Sequence, residues 1–235
     1  MRTDPLIRCE ALEVGHSGRP LLPPVTLSLG RGEFWAVVGR NGAGKTTWFR
    51  TLLGLLPAVG GRVTRGPGTR VSYVPQRSDY DALWPVTARQ VVEMGVERGA
   101  SFLTPFGGRA DVDDALAAVD ATTLAPHPFR ALSEGQKQRV LLARVVASRA
   151  ELALLDEPTA AMDAVAEREA FALLDVVRRR YGTTFVVVSH FLGVARELAD
   201  HVLFLDRDAS SAIVGSSAEV FAHPAFRARY EGAHA

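Results

Sequence analysis

Eight residues, Gly39-Arg40-Asn41-Gly42-Ala43-Gly44-Lys45-Thr46, match in full the glycine-rich pattern that cradles phosphates. Glycines let successive backbone N–H groups turn inward where a side chain would block an anion. The helix that follows aims its positive end at the same point. In this arrangement Lys45 reaches the β- and γ-phosphates, and the Thr46 hydroxyl is placed for Mg²⁺. A second group lies downstream, where Leu152-Ala153-Leu154-Leu155-Asp156-Glu157-Pro158 is an apolar run closed by two adjacent carboxylates. At a strand's end Asp156 can hold Mg²⁺ through water while Glu157 polarises an attacking water. The same pair read alone is a turn before Pro158. His190 follows the apolar run Phe185 to Val188, and Gln76 follows Tyr73-Val74-Pro75, so both are expected just past strand ends. A histidine there can hydrogen-bond a γ-phosphate or hold water, and the Gln76 amide can touch both Mg²⁺ and the water.

These side chains need a frame that brings strand ends to one edge. Short apolar runs alternate with helix-like stretches, which favours an α/β class. Phe34 to Val38 leads into the phosphate loop, and a helix is expected from about Thr46 to Leu56. Val71 to Val74 reads as another strand. Leu152 to Leu155 and Phe185 to Val188 are apolar on both faces, as buried parallel strands are. Val165 to Arg180 has helical spacing and ends in Arg178-Arg179-Arg180 before Gly182; the basic run reads as a favourable last helical turn. From Thr87 to about Ser148 the pieces look helical, interrupted by residues 99–108 and by Pro126 and Pro128. The expected organisation is one domain, with residues 1–86 and 149–235 as an α/β nucleotide-binding core and 87–148 as an inserted helical sub-domain.

Composition bounds the function. With 47% hydrophobic residues the 235-residue chain can bury a sizeable core. Lys and Arg number 27 against 26 Asp and Glu, so no net field draws the molecule to nucleic acid. Only Lys45 and Lys137 are lysines. One cysteine, Cys9, excludes a disulfide framework and a cysteine-built metal site. The opening residues, with Asp4 and Glu10, lack the apolar core of a secretory signal. No run approaches 18 uninterrupted apolar residues. Asn41 is the only asparagine, which removes the Asn-Lys-x-Asp element that reads guanine, and no His-Arg-Asp kinase loop is present.

Leu132-Ser133-Glu134-Gly135-Gln136-Lys137-Gln138-Arg139 opens a further helix, with Ser133 as N-cap and Gln136 three residues on, as in a capping box. Capping alone accounts for these residues. Together and in this order, however, the segments from about Leu6 to Glu219 resemble the nucleotide-binding subunits of ATP-binding cassette (ABC) transporters, whose fold is a phosphate-loop NTPase core, a mostly parallel sheet with helices, an antiparallel β piece at its N-terminal side and an inserted helical sub-domain. The resemblance implies ATP with Mg²⁺, contacts from Gly39, Asn41, Gly42, Gly44, Lys45, Thr46 and Thr47, metal ligation by Thr46, Gln76 and Asp156, and catalysis by Glu157, His190 and Gln76. It also implies a head-to-tail dimer with a second copy. There Ser133, Gly135 and Gln136 meet ATP held by the partner, and Asp163, in the loop Ala160-Ala161-Met162-Asp163, crosses the interface. Two residues depart from the family pattern: Glu134 stands where glycine is usual, and His16 stands where an aromatic ring usually stacks on adenine.

The resemblance further implies an integral membrane permease, a location at the cytoplasmic face of the membrane, and no nucleic-acid partner. Residues after Gln76, including Trp84, Pro85 and Val86, are candidates to line the groove for a permease helix. The run from Tyr73 to Thr87, with Val91-Val92-Glu93-Met94-Gly95 after it, is similar to importers of zinc, manganese and ferrous iron, which work with an extracytoplasmic substrate-binding protein; siderophore and cobalamin importers carry related segments. The transported metal is not expected on this chain, since its six histidines show no paired ligand spacing. An exporter of a drug or lipid shares every catalytic residue, and a soluble cassette ATPase of ribosomes or DNA is a further alternative.

Overall fold

The computed structural model describes residues 4–76, 86–96, 109–159, 162–189 and 192–230. The chain divides into two compact units, Met1–Thr69 with Thr184–Ala235, and Arg70–Thr183. The first opens with β1 (Ile7–Glu13), the two-residue strands β2 (Gly15–His16) and β3 (Arg19–Pro20), and β4 (Val25–Leu29). β4 alternates buried and exposed residues, the period-2 pattern of a strand with one wet face. β5 (Phe34–Val38) is buried at every position and leads into α1 (Lys45–Leu52), followed by β6 (Gly60–Arg65). An antiparallel sheet runs β4-β1-β6, with Ile7 opposite both Leu29 and Arg65. Its register shifts at Ala11, where Gly61 has φ 71° and a Cβ would stand 2.0 Å from the Ala11 carbonyl oxygen. Only glycine fits that bulge.

The second unit begins with β7 (Val71–Val74) and continues through α2 (Ala88–Val96), α3 (Arg109–Ala117), two short 3₁₀ turns at Thr122–Leu124 and Phe129–Ala131, and α4 (Glu134–Ala147). Both α2 and α3 pack against α4. At Gly95 a Cβ would lie 2.4 Å from the Arg144 carbonyl oxygen, so α2 and α4 meet backbone to backbone. Arg144 in turn donates to the Tyr73 carbonyl at 2.7 Å, tying α4 to β7. β8 (Leu152–Asp156) pairs parallel with β7, Val71 to Leu152 through Val74 to Leu155. α5 (Ala164–Tyr181) closes the unit with Gly182 in the left-handed region as its C-cap. Within its basic end Arg178 and Arg179 both pair with Asp175, at 2.9 and 2.8 Å, so these charges are used on the helix itself.

The chain then returns to the first unit through β9 (Thr184–Val188), α6 (Leu192–Leu198), β10 (His201–Asp206), β11 (Ser211–Ser216), α7 (Ser217–Ala222) and α8 (Pro224–Tyr230). β5 lies between β9 and β10, parallel to both, and β11 adds an antiparallel edge. The architecture is the expected α/β one, parallel strands with helices and an antiparallel piece from the N-terminal part. One helix differs from the sequence expectation: the phosphate-loop helix stops at Leu52. At the C-terminal end α7 and α8 are separate helices, because Pro224 cannot continue α7 and holds His223 extended (φ −65°, ψ 134°). Among the described residues no helix is long and apolar enough to cross a membrane.

Candidate active site

In the first unit, β5 delivers the chain into a loop whose glycines take backbone conformations closed to other residues. Gly42 and Gly44 have φ of 78° and 94°. Among the described residues a Cβ on Gly42 would meet nothing within 4 Å, so that side of the loop is open to them. Lys45 is only 5% exposed, and its Nζ donates to the carbonyls of Gly39 (2.8 Å) and Arg40 (3.1 Å). The ammonium is thus held inside the loop by the loop's own backbone. Gly44 is the N-cap of α1 and offers no side-chain cap, which leaves first-turn N–H groups for an anion. Trp48 and Phe49 are fully buried and anchor the helix. Thr46 and Thr47 sit in its first turn, and the Thr47 Oγ1 is 3.4 Å from His16 Nε2, which brings the proposed base-stacking residue to the phosphate helix. A buried cation, an uncapped helix start and an open glycine cradle fit a triphosphate.

The second unit holds the carboxylates. Asp156 closes β8 with only 1% exposure, and the Tyr73 hydroxyl makes a long 3.5 Å contact to its Oδ2. Glu157 has φ 50°, in the left-handed region that is uncommon for a residue with a side chain. Gln76, at the end of β7, donates its Nε2 to Glu157 Oε2. Two residues 81 apart in sequence, each singled out for the same water, therefore meet. The turn is pinned from below: the Thr159 hydroxyl donates to Glu167 Oε1 at 2.8 Å, both groups buried.

The start of α4 forms the capping box expected of it. Gln136 N–H donates to Ser133 Oγ (3.3 Å), and Ser133 N–H donates to Gln136 Oε1 (3.0 Å). Glu134, the departure from family pattern, is paired at 3.0 Å with Lys137, the chain's other lysine, so its charge is balanced within one helical turn. Among the described residues, and apart from its own helix backbone and chain neighbours, nothing lies within 4 Å of where a Gly135 Cβ would stand. Asp163 caps α5, accepting from the N–H groups of Val165 (3.0 Å) and Ala166 (2.9 Å). His190, Trp84, Pro85, Ala160 and Ala161 lie outside the described residues.

Residues 22–160 match the family model described as ABC transporter. The chain belongs to the ABC transporter family. Over 234 residues it is 35% identical to the zinc import ATP-binding protein ZnuC of Halorhodospira halophila, which covers 98% of this chain and 85% of that protein. Over 202 residues it is 39% identical to ZnuC of Cereibacter sphaeroides, covering 86% and 79%. The structure of cbiO1 from Clostridium perfringens, part of the ABC transporter complex cbiONQ, superposes with a TM-score of 0.79 at 26% identity, over 99% of this chain and 96% of that one.

This ABC ATPase carries groups that sequence reading did not single out. Glu167 and Thr159 are one example, and Tyr73 beside Asp156 is another; neither pairing has a local sequence signal, because each depends on which elements pack. Among the described residues no group of three or more His, Cys, Asp or Glu side chains is placed to hold a metal ion. Burial pushes the Glu167 carboxyl above its ordinary value of 4.5, with the Thr159 hydrogen bond pulling it down. A carboxyl raised in the folded state costs stability as pH climbs from the unfolded value through the folded one, and the full cost is present above both. Glu167→Gln keeps the acceptor and removes the charge. Its melting temperature is therefore expected to match the parent's at pH 4 and to exceed it by a few degrees at pH 7, as read by thermal unfolding across that range.

Proposed function

We propose that this ABC ATPase drives zinc import through a separate integral membrane permease. The observation that carries the reading is its 35% identity to a zinc import ATP-binding protein across 98% of the chain. A zinc-loaded extracytoplasmic binding protein delivers the ion to the permease, and the ATPase works at the cytoplasmic face. Residues 1–86 and 149–235 form the nucleotide-binding core, with 87–148 as the helical sub-domain that meets the permease. Two copies face head to tail. The phosphate loop of one copy, Gly39 to Thr47 with His16 at the base, holds ATP against Ser133, Gly135 and Gln136 of the other, and Asp163 crosses between them. Thr46, Asp156 and Gln76 would hold Mg²⁺, which when bound would supply positive charge to offset that of the phosphates. Glu157 takes a proton from the attacking water, Gln76 orients both, and His190 bonds the γ-phosphate. ATP closes the pair, and loss of the γ-phosphate releases it.

The test is to purify the chain with its membrane partner in mild detergent, reconstitute the complex into vesicles with the ATPase outside, and measure radioactive zinc movement. ATP-dependent zinc release from vesicles loaded with the binding protein and zinc is the expected result, since the cytoplasmic side then faces out. Movement of manganese or iron with no zinc would overturn the substrate, and ATP-driven zinc entry into the vesicles would overturn the direction.

A further inference from the structure

The paired helices at the C-terminal end have no part in the chemistry above, yet they are built onto the strand that abuts the phosphate loop. Phe226, 1% exposed on α8, meets Phe204 of β10 edge-on at 5.2 Å and Phe221 of α7 at 4.9 Å, and Tyr230 lies on Phe226 at 4.8 Å. Phe204 is the register partner of Val38, the last residue before the loop. One residue further along β10, the Leu205 carbonyl oxygen would stand 2.4 Å from a Cβ on Gly39, so the loop's first glycine rests directly on the strand's end. The next residue, Asp206, is 5% exposed. Its Oδ1 accepts from the N–H groups of Asp208 (3.1 Å) and Ala209 (3.3 Å), and its Oδ2 is 3.2 Å from Arg229 Nε. Arg229 also donates to the Asp208 carboxylate. A buried carboxylate at the loop's resting place thus takes its counter-charge from α8. A cavity of about 450 Å³ lies between the phosphate loop and this segment, lined by Gly39, Arg40 and Asn41 and by Asp208 and Tyr230.

We propose that α8 positions the phosphate loop, with Arg229 as the positioning residue. The chain of contacts is continuous. Arg229 holds Asp206, which fixes the end of β10; the Leu205 carbonyl seats Gly39; and the Gly39 carbonyl accepts the Lys45 ammonium at 2.8 Å. An uncompensated carboxylate at Asp206 moves toward water and carries the strand's end with it. Lys45 and the loop N–H groups then lose their alignment on the phosphates, while the Gln76–Glu157 hydrogen bond within the second unit is unaffected. The inference rests on Gly39 to Thr47 being the ATP cradle.

The experiment measures steady-state ATP hydrolysis and equilibrium ATP binding for Arg229→Ala, Arg229→Lys and, as reference, Lys45→Ala, with thermal unfolding alongside. Arg229→Ala is expected to raise KM and the dissociation constant for ATP about tenfold while kcat changes less than about twofold, and Arg229→Lys, which restores a cation to Asp206, to recover most of that affinity. Should Arg229→Ala fail to fold, Arg229→Gln, which keeps the stem packed, carries the same expectation. A KM within about twofold of the parent in a folded variant, with Lys45→Ala unable to bind, overturns the positioning role alone. Retained ATP affinity in Lys45→Ala overturns the cradle assignment and this inference with it.

Discussion

Glu157→Gln is expected to lower ATP turnover by about 10²- to 10⁴-fold, the range a positioned general base contributes, while ATP stays bound. The glutamine has the shape of the carboxylate and can still accept a hydrogen bond from Gln76 Nε2 through its amide oxygen. It cannot accept a proton from water at neutral pH, which is the function assigned to Glu157. The backbone constraint at φ 50° is unchanged by the substitution, since both residues carry the same Cβ. On the proposed mechanism the substitution blocks hydrolysis and leaves the phosphate-loop contacts to ATP in place. The variant is therefore expected to accumulate as an ATP-bound dimer, visible as a nucleotide-dependent shift in gel filtration. Phosphate release at saturating ATP is the primary readout, and unchanged turnover removes Glu157 as the base.

The second large effect is at Lys45. Its ammonium is the buried cation of the first unit's loop, held by the Gly39 and Arg40 carbonyls. Charge-assisted hydrogen bonds of this kind contribute ~1.5–3 kcal/mol each, so losing contacts to two phosphates weakens ATP binding by at least ~100-fold. Lys45→Ala also frees the two loop carbonyls that the ammonium holds inward, which loosens the cradle before any nucleotide arrives. Fluorescent-nucleotide titration or calorimetry checks the result, and tight binding retained in the variant contradicts the loop assignment. The two variants separate the two halves of the reaction. One leaves a binder that does not turn over, and the other leaves an intact base with nothing to act on.

Much of the site is readable in the linear chain because its chemistry is local. The phosphate loop needs consecutive N–H groups on glycines at φ near 80–90°, so its residues must be neighbours in sequence. The Ser133–Gln136 box is a helix-start device three residues long, and it formed as written. The apolar stretches of β5, β8 and β9 mark buried strands because no polar residue interrupts them. From such runs the α/β class and the placement of Gln76 and Glu157 at strand ends follow.

What the chain order does not contain is which distant groups meet. Gln76 and Glu157 are joined because β7 and β8 lie side by side in parallel register, so residues past their ends converge. Thr159 finds Glu167 only when α5 folds back under the turn, and the shared burial that shifts the Glu167 carboxyl exists only in the packed state. The pairing of Arg229 on α8 with Asp206 on β10 likewise has no sign in the chain order. Sequence alone determined the element types and the phosphate-cradle pattern, and it singled out Glu157 and Gln76 as candidates, because backbone conformation and hydrophobic period act over a few residues. Tertiary structure decided the partners of Glu157, Glu167 and Asp206, because hydrogen bonds and ion pairs across elements depend on register and burial that no short window of sequence encodes.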